Sequence, residues 1–194
     1  MLSILLPFLV FSQKQVGMEQ YYYWQTKTTS TVVPKVYYQS PKNWHSEFRY
    51  NYENDQTASL HFGKKFSIPS AINLELIPLV GLAFGNLNGA SAGTMVELSF
   101  DNIYFSSEPQ YVHSFRHTDQ SYFYSWSELV YEFSPVVYGG LAVQQTKSYR
   151  EANFFEPGVV AAATIKNFEI PFYCFSPFKT NKNFVIGVNW QWKK

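Results

Sequence analysis

Between positions 183 and 192 the chain reads NFVIGVNWQW, with a large apolar residue at every second place: Phe184, Ile186, Val188, Trp190 and Trp192. Between them stand Val185, Gly187, Asn189 and Gln191, smaller or polar. A period of two puts one set on each face of a β-strand. The same alternation runs through most of the chain, and helical periodicity is scarce. It predicts ten strands, at 43–52, 57–66, 72–84, 93–100, 103–115, 121–133, 136–146, 158–165, 168–175 and 183–192. Most approach the ~9–11 residues with which a tilted strand crosses a bilayer.

The connections alternate in kind. Tight ones are SIPSA near Ser67, Asp101-Asn102, Ser134-Pro135 and Lys166-Asn167. Longer or more polar ones are ENDQ at Glu53, GNLNGAS at Gly85, RHTDQ at Arg116, KSYREANFFEP from Lys147 and SPFKTNK from Ser176. Short turns at one end and longer loops at the other characterise transmembrane barrels, whose even strand count brings both termini to the periplasmic side. Residues 43–194 form this expected barrel, with its last strand closing on its first. Residues 13–42 resist the pattern: YYYW at 21–24 and VVPKVYY at 32–38 do not alternate cleanly. They read as a periplasmic lead, a lumen plug, or an extra hairpin that would raise the count to twelve.

Alternation alone does not separate a membrane barrel from a secreted lipocalin-like binder, since both have one apolar and one polar face. Composition does. Charged residues are 15% of the chain, against roughly 25% in soluble domains. A lipocalin would place His45, Glu47 and Arg49 in water and still need many more charges to cover its surface. Aromatics are 20% and gather near strand ends: Trp44, Tyr52, Phe66, Phe84, Phe100, Tyr104, Phe133, Trp190 and Trp192. That spacing fits the two interfacial girdles of a lipid-facing wall. The expected fold is an all-β, antiparallel, up-and-down transmembrane barrel, with Trp44, Phe184, Ile186, Val188, Trp190 and Trp192 toward outer-membrane lipid.

Leu2 to Phe11 is an apolar run of signal-peptide length, too short to span a bilayer as a helix. Residues 1–12 are therefore expected to direct export, with cleavage near Ser12-Gln13. Fifteen basic and fourteen acidic residues nearly cancel, and without a basic run there is no footprint for nucleic acid. Cys174 has no partner for an internal disulfide and reads as a small residue on an apolar strand face.

NWHSEFRYNYENDQTASLHFGKKF resembles the first hairpin of an uncharacterised family of small Gram-negative outer-membrane β-barrel proteins. YFYSWSEL (Tyr122 to Leu129) and GLAVQQTKSY (Gly140 to Tyr149) resemble the same family, and the similarity covers most of Asn43 to Trp192. It implies a fold and a location, not a chemistry. The final strand also resembles the aromatic-ended signal read by barrel-assembly machinery, departing from it by Lys193-Lys194 after Trp192.

Catalytic patterns are loose. His113, His117 and Asp119 fall near one outer loop, as an omptin-like protease would need, but read better as a solvated rim. His113 and Ser114 are neighbours in sequence and so point to opposite faces, which defeats a His-Ser hydrolase. His45 and His61 with nearby carboxylates lack metal-ligand spacing, and Gly139-Gly140 and Gly187 mark bends or close approaches, not a phosphate cradle. No metal, cofactor or catalysis is expected. The informative set is polar and on the other parity: His45, Glu47, Arg49, His61 and Lys65, with Glu75, Glu97 and Glu128 facing them from other walls. One register sets Glu47 opposite His61, the other Arg49 opposite His61. Paired across a narrow lumen, these charges close it; unpaired, they line a water-filled pore. The expected role is structural or that of a narrow pore, with a lipocalin-like binder and a membrane-embedded hydrolase as alternatives.

Overall fold

A computed structural model describes residues 14–25, 31–68, 72–180 and 182–193. The expected export signal at 1–12 lies outside them, as does part of the SIPSA turn. The described strands are β1 (Gln15–Gln25), β2 (Thr31–Gln39), β3 (Trp44–Tyr50), β4 (Thr57–Lys64), β5 (Phe66–Ile68), β6 (Asn73–Gly85) and β7 (Gly89–Phe100). They continue with β8 (Ile103–Ser114), β9 (Tyr122–Ser134), β10 (Val137–Ser148), β11 (Phe154–Ile165), β12 (Phe168–Phe175) and β13 (Asn183–Lys193). Each pairs antiparallel with its neighbour in sequence, except that β4 pairs with β6. Past a break at Lys65, β5 continues β4 in the same register, Gly63 standing opposite Leu79 and Phe66 opposite Leu76. Because β13 returns to β1, with Trp192 opposite Val16 and Ile186 opposite Tyr22, the sheet is a closed barrel of 12 strands.

Ten strands thus become twelve. Residues 15–39 form a hairpin inside the wall, and the strand on which β13 closes is β1 instead of the one at 43–52. The hairpin lacks clean alternation because its inner face mixes Tyr21, Tyr23, Val33 and Tyr37 with Glu19 and Lys35. Tyr22 and Trp24 are exposed on the outside, while Tyr21 and Tyr23 pack inward on the core formed by Ala142, Val160, Tyr173, Phe175 and Val185.

Two other boundaries move. β7 starts at Gly89, which cuts the GNLNGAS loop to 86–88. Thr146 pairs with Phe154 and Val143 with Pro157, so the expected long loop over 147–157 shrinks to 149–153. Pro157 sits inside the ladder. At one end of the barrel lie 51–56, 86–88, 115–121, 149–153 and 176–180; at the other lie Gln15, Lys193 and the tight turns at 101–102, 135–136 and 166–167. Asp101 (φ 48°) and Lys166 (φ 56°) open two of those turns in the left-handed conformation that two-residue hairpins require.

On β13, Ile186 and Trp192 are exposed, Phe184, Val188 and Trp190 share their parity, and Val185 is fully buried. Trp44, 58% exposed, also points out. Tyr52 differs. The sequence puts it in an aromatic girdle, but β3 ends at Tyr50 and the loop over 51–56 folds back, carrying Tyr52 and Glu53 into the barrel.

Candidate functional site

Strands β3 and β4 alternate strictly in burial, so β3 sends His45, Glu47 and Arg49 inward while β4 sends Thr57, Ser59 and His61. Glu47 stands opposite His61, the first of the two registers that sequence left open. Arg49 donates through Nε to Glu47 Oε2 at 2.6 Å, with Nη2 2.5 Å from the same oxygen. His45 Nε2 donates to Glu47 Oε1 at 2.7 Å. Gly81, opposite His61 on β6, leaves the room its ring occupies: a Cβ there would lie 2.3 Å from it.

The folded-back loop completes this cluster. The Glu53 carboxylate is fully buried. It accepts from Ser59 Oγ at 2.5 Å and from Gln110 Nε2 at 3.3 Å, and lies 3.8 Å from Arg49 Nη1 and 3.6 Å from His61 Nε2. Tyr52 lays its ring 4.3 Å from the Arg49 guanidinium carbon and donates its hydroxyl to Glu108 Oε2 at 3.1 Å. Tyr122 on β9 holds the loop by donating to the Glu53 carbonyl at 2.6 Å. Asn51 and Gln56 take up left-handed backbone conformations at the loop's two ends. His61 reaches Ser91 Oγ on β7 at 2.8 Å.

Lys35 on β2 carries the polar system across the lumen. Its Nζ lies 2.9 Å from Glu19 on β1 and 3.4 Å from Glu108 on β8. In a ring of twelve, β2 and β8 are nearly diametrically opposed. Beside this bridge an aromatic layer makes a second crossing: Trp126 on β9 lies 5.9 Å from Tyr21 on β1, 4.9 Å from Tyr173 and 5.2 Å from Phe175. Two such contacts cross the lumen.

Toward the tight turns the lumen is hollow. A cavity of about 1300 Å³ is lined by Glu19, Lys35, Lys65, Glu75, Glu97, Glu108, Glu128, Glu132 and Glu169 among others. Here lie the remaining sequence candidates, and they do not join the Glu47 cluster as expected. Lys65 pairs with Glu75 at 2.5 Å; Glu97 is the cross-strand neighbour of Glu75. Glu128 accepts from Trp126 Nε1 at 2.6 Å and from Tyr173 at 2.9 Å. The sequence reading missed Lys35, its strand neighbour Glu19, and Tyr52, Glu53 and Glu108. Glu108 and His113 fall on opposite parities of β8. Glu108 faces the lumen; His113 faces out at the rim, 3.5 Å from Ser121 Oγ and against the Phe115 ring. His117 and Asp119 are exposed, and Ser114 is buried on the face away from His113. Among the described residues no three His, Cys, Asp or Glu converge on a point where a metal ion would sit.

No family model matches the sequence, and no match is found among curated proteins. Solved structures do match. The KdgM porin in complex with disordered oligogalacturonate aligns over 90% of this chain and 98% of its own, at TM-score 0.65 and 10% identity. The NanC porin aligns over 89% and 98%, at TM-score 0.58 and 10% identity. OccAB4 of Acinetobacter baumannii aligns over 90% of this chain and 57% of its own, at TM-score 0.52 and 10% identity. The chain has the closed antiparallel barrel fold of the bacterial outer-membrane porins.

Proposed function

We propose that the protein is a non-enzymatic outer-membrane barrel acting as a narrow, plugged pore, exported by its N-terminal segment and inserted through its aromatic-ended last strand. The observation that carries this reading is the double crossing of the lumen, by Lys35 to Glu108 and by Trp126 to Tyr21. A water-filled channel leaves its lining charges to solvent; here Glu47, Arg49 and Glu53 are removed from solvent and satisfied by one another. Buried charges persist only when so paired. The outward alternation, the shortage of charge and the porin-like fold support the membrane setting. The loop that inserts Tyr52 and Glu53 is the part whose withdrawal would open a path.

Single-channel recording in a planar bilayer tests this. The purified protein should conduct poorly, in brief or small openings, and Arg49→Ala should raise both the frequency and the size of openings. A large, steady conductance unchanged by Arg49→Ala would refute the plug.

A further inference from the structure

The chamber between the bridge and the termini has a charge pattern that the plug does not use. Seven glutamates line it against two lysines. Both lysines are already engaged, Lys35 with Glu19 and Glu108 and Lys65 with Glu75. Glu97, Glu128, Glu132 and Glu169 make no ion pair among the described residues.

Their placement is ordered. On β6 to β9, Glu75 is opposite Glu97, Glu97 opposite Ser106, and Ser106 opposite Glu128, one belt across four adjacent strands. On β12 to β2 a second belt runs Glu169, Asn189, Glu19, Lys35. In a twelve-strand ring these arcs of four strands face each other, six places apart. Like charges set directly across a strand pair, as Glu75 and Glu97 are, repel; Lys65 sits on Glu75, and Glu97 has no cation of its own among the described residues.

Polar atoms on the second arc are also left over. Gln39, 4% exposed, lines the chamber with its amide nitrogen unpartnered. Its oxygen lies 3.0 Å from His45 Nδ1; turning the amide over would free the oxygen instead, so one polar atom is spare either way. Asn189, whose amide nitrogen donates to Glu169 at 3.1 Å, keeps an unpartnered oxygen. Tyr21, Trp126 and Tyr173 border the chamber on the bridge side, and aromatic rings attract organic cations. Because the carboxylates are spread over two arcs without converging on a metal position, a compact divalent ion does not match them. An extended chain of ammonium groups does.

We propose that this chamber binds a flexible organic polycation, entering from the end where the termini lie; the direction of entry rests on the plugged-pore reading. The test is calorimetric titration of spermine into the detergent-purified full chain at low salt. We expect saturable binding, weakened roughly tenfold or more by Glu97→Gln with Glu128→Gln on one arc, and comparably by Glu169→Gln on the other. Methylamine should bind far more weakly, since it reaches one arc only. Glutamine keeps the acceptor that Trp126 and Tyr173 use, and heat-modifiable gel mobility identifies the variants that fold. No saturable heat, or binding equal in all folded variants, overturns the proposal. Conductance does not enter this readout, so a chamber that binds spermine in a freely conducting barrel would fault the plug and leave the site standing.

Discussion

Val188 and Asn189 are adjacent and point to opposite faces of β13. Val188 shares the outward parity of Ile186 and Trp192, whereas Asn189 lines the acidic chamber beside Glu169. A cation in the middle of a lipid-facing strand costs roughly 2–4 kcal/mol; one in the chamber meets carboxylates. Val188→Arg should therefore lower the folding yield into vesicles far more than Asn189→Arg, and equal yields would contradict the assignment of faces. Arg49 makes the complementary case. Its removal leaves Glu47 buried without its strongest partner, a loss of about 3–5 kcal/mol. Arg49→Ala should accordingly unfold at lower urea than the parent. At this scale the sequence was informative wherever one face was polar: the parity of His45, Glu47, Arg49 and His61 followed from alternation alone. It was silent on Tyr52 and Glu53, because a loop that turns back into a lumen has the same composition as one that stays in solvent.

Strands β1 and β2 show what alternation misses. Val33, Lys35 and Tyr37 occupy the inner face of β2, while Val32, Val36 and Tyr38 occupy the outer. When the lumen wall is itself apolar or aromatic, the two parities look alike, and a strand no longer announces its faces. Gly17 belongs to this hairpin for a packing reason, since a Cβ there would fall 2.2 Å from the Tyr37 ring. Gly17→Ala should force Tyr37 away from His45, on which it stacks at 5.8 Å, destabilising the barrel by about 1–3 kcal/mol in urea titration. The hairpin also supplies a sharper test of strand count. Deleting 14–39 removes both partners that join β13 to β3. The deletion should abolish the heat-modifiable folded band, which a barrel complete from residue 43 would retain.

For the whole molecule, strand number decides which residues meet. A ring of ten beginning at 43 sets different strands face to face than a ring of twelve. Glu75, Glu97 and Glu128, expected to face the His45–Lys65 set from other walls, line the chamber instead, while Gln110 on β8 reaches Arg49 and Glu108 meets Lys35 of the added hairpin. Fold class and faces are local properties and were legible; opposition across a lumen is global and was not. The account depends most on an asymmetric lumen, plugged toward the longer loops and hollow toward the termini. Side-selective labelling measures it. In a Cys174→Ser background, Ser106→Cys places a thiol in the chamber, and Glu151→Cys places one on an exposed loop at the plugged end. With a membrane-impermeant maleimide, intact cells should label Glu151→Cys and leave Ser106→Cys unmodified until the periplasm is opened. Labelling of Ser106→Cys in intact cells, as fast as the loop thiol, would show a lumen open from end to end and contradict the plug.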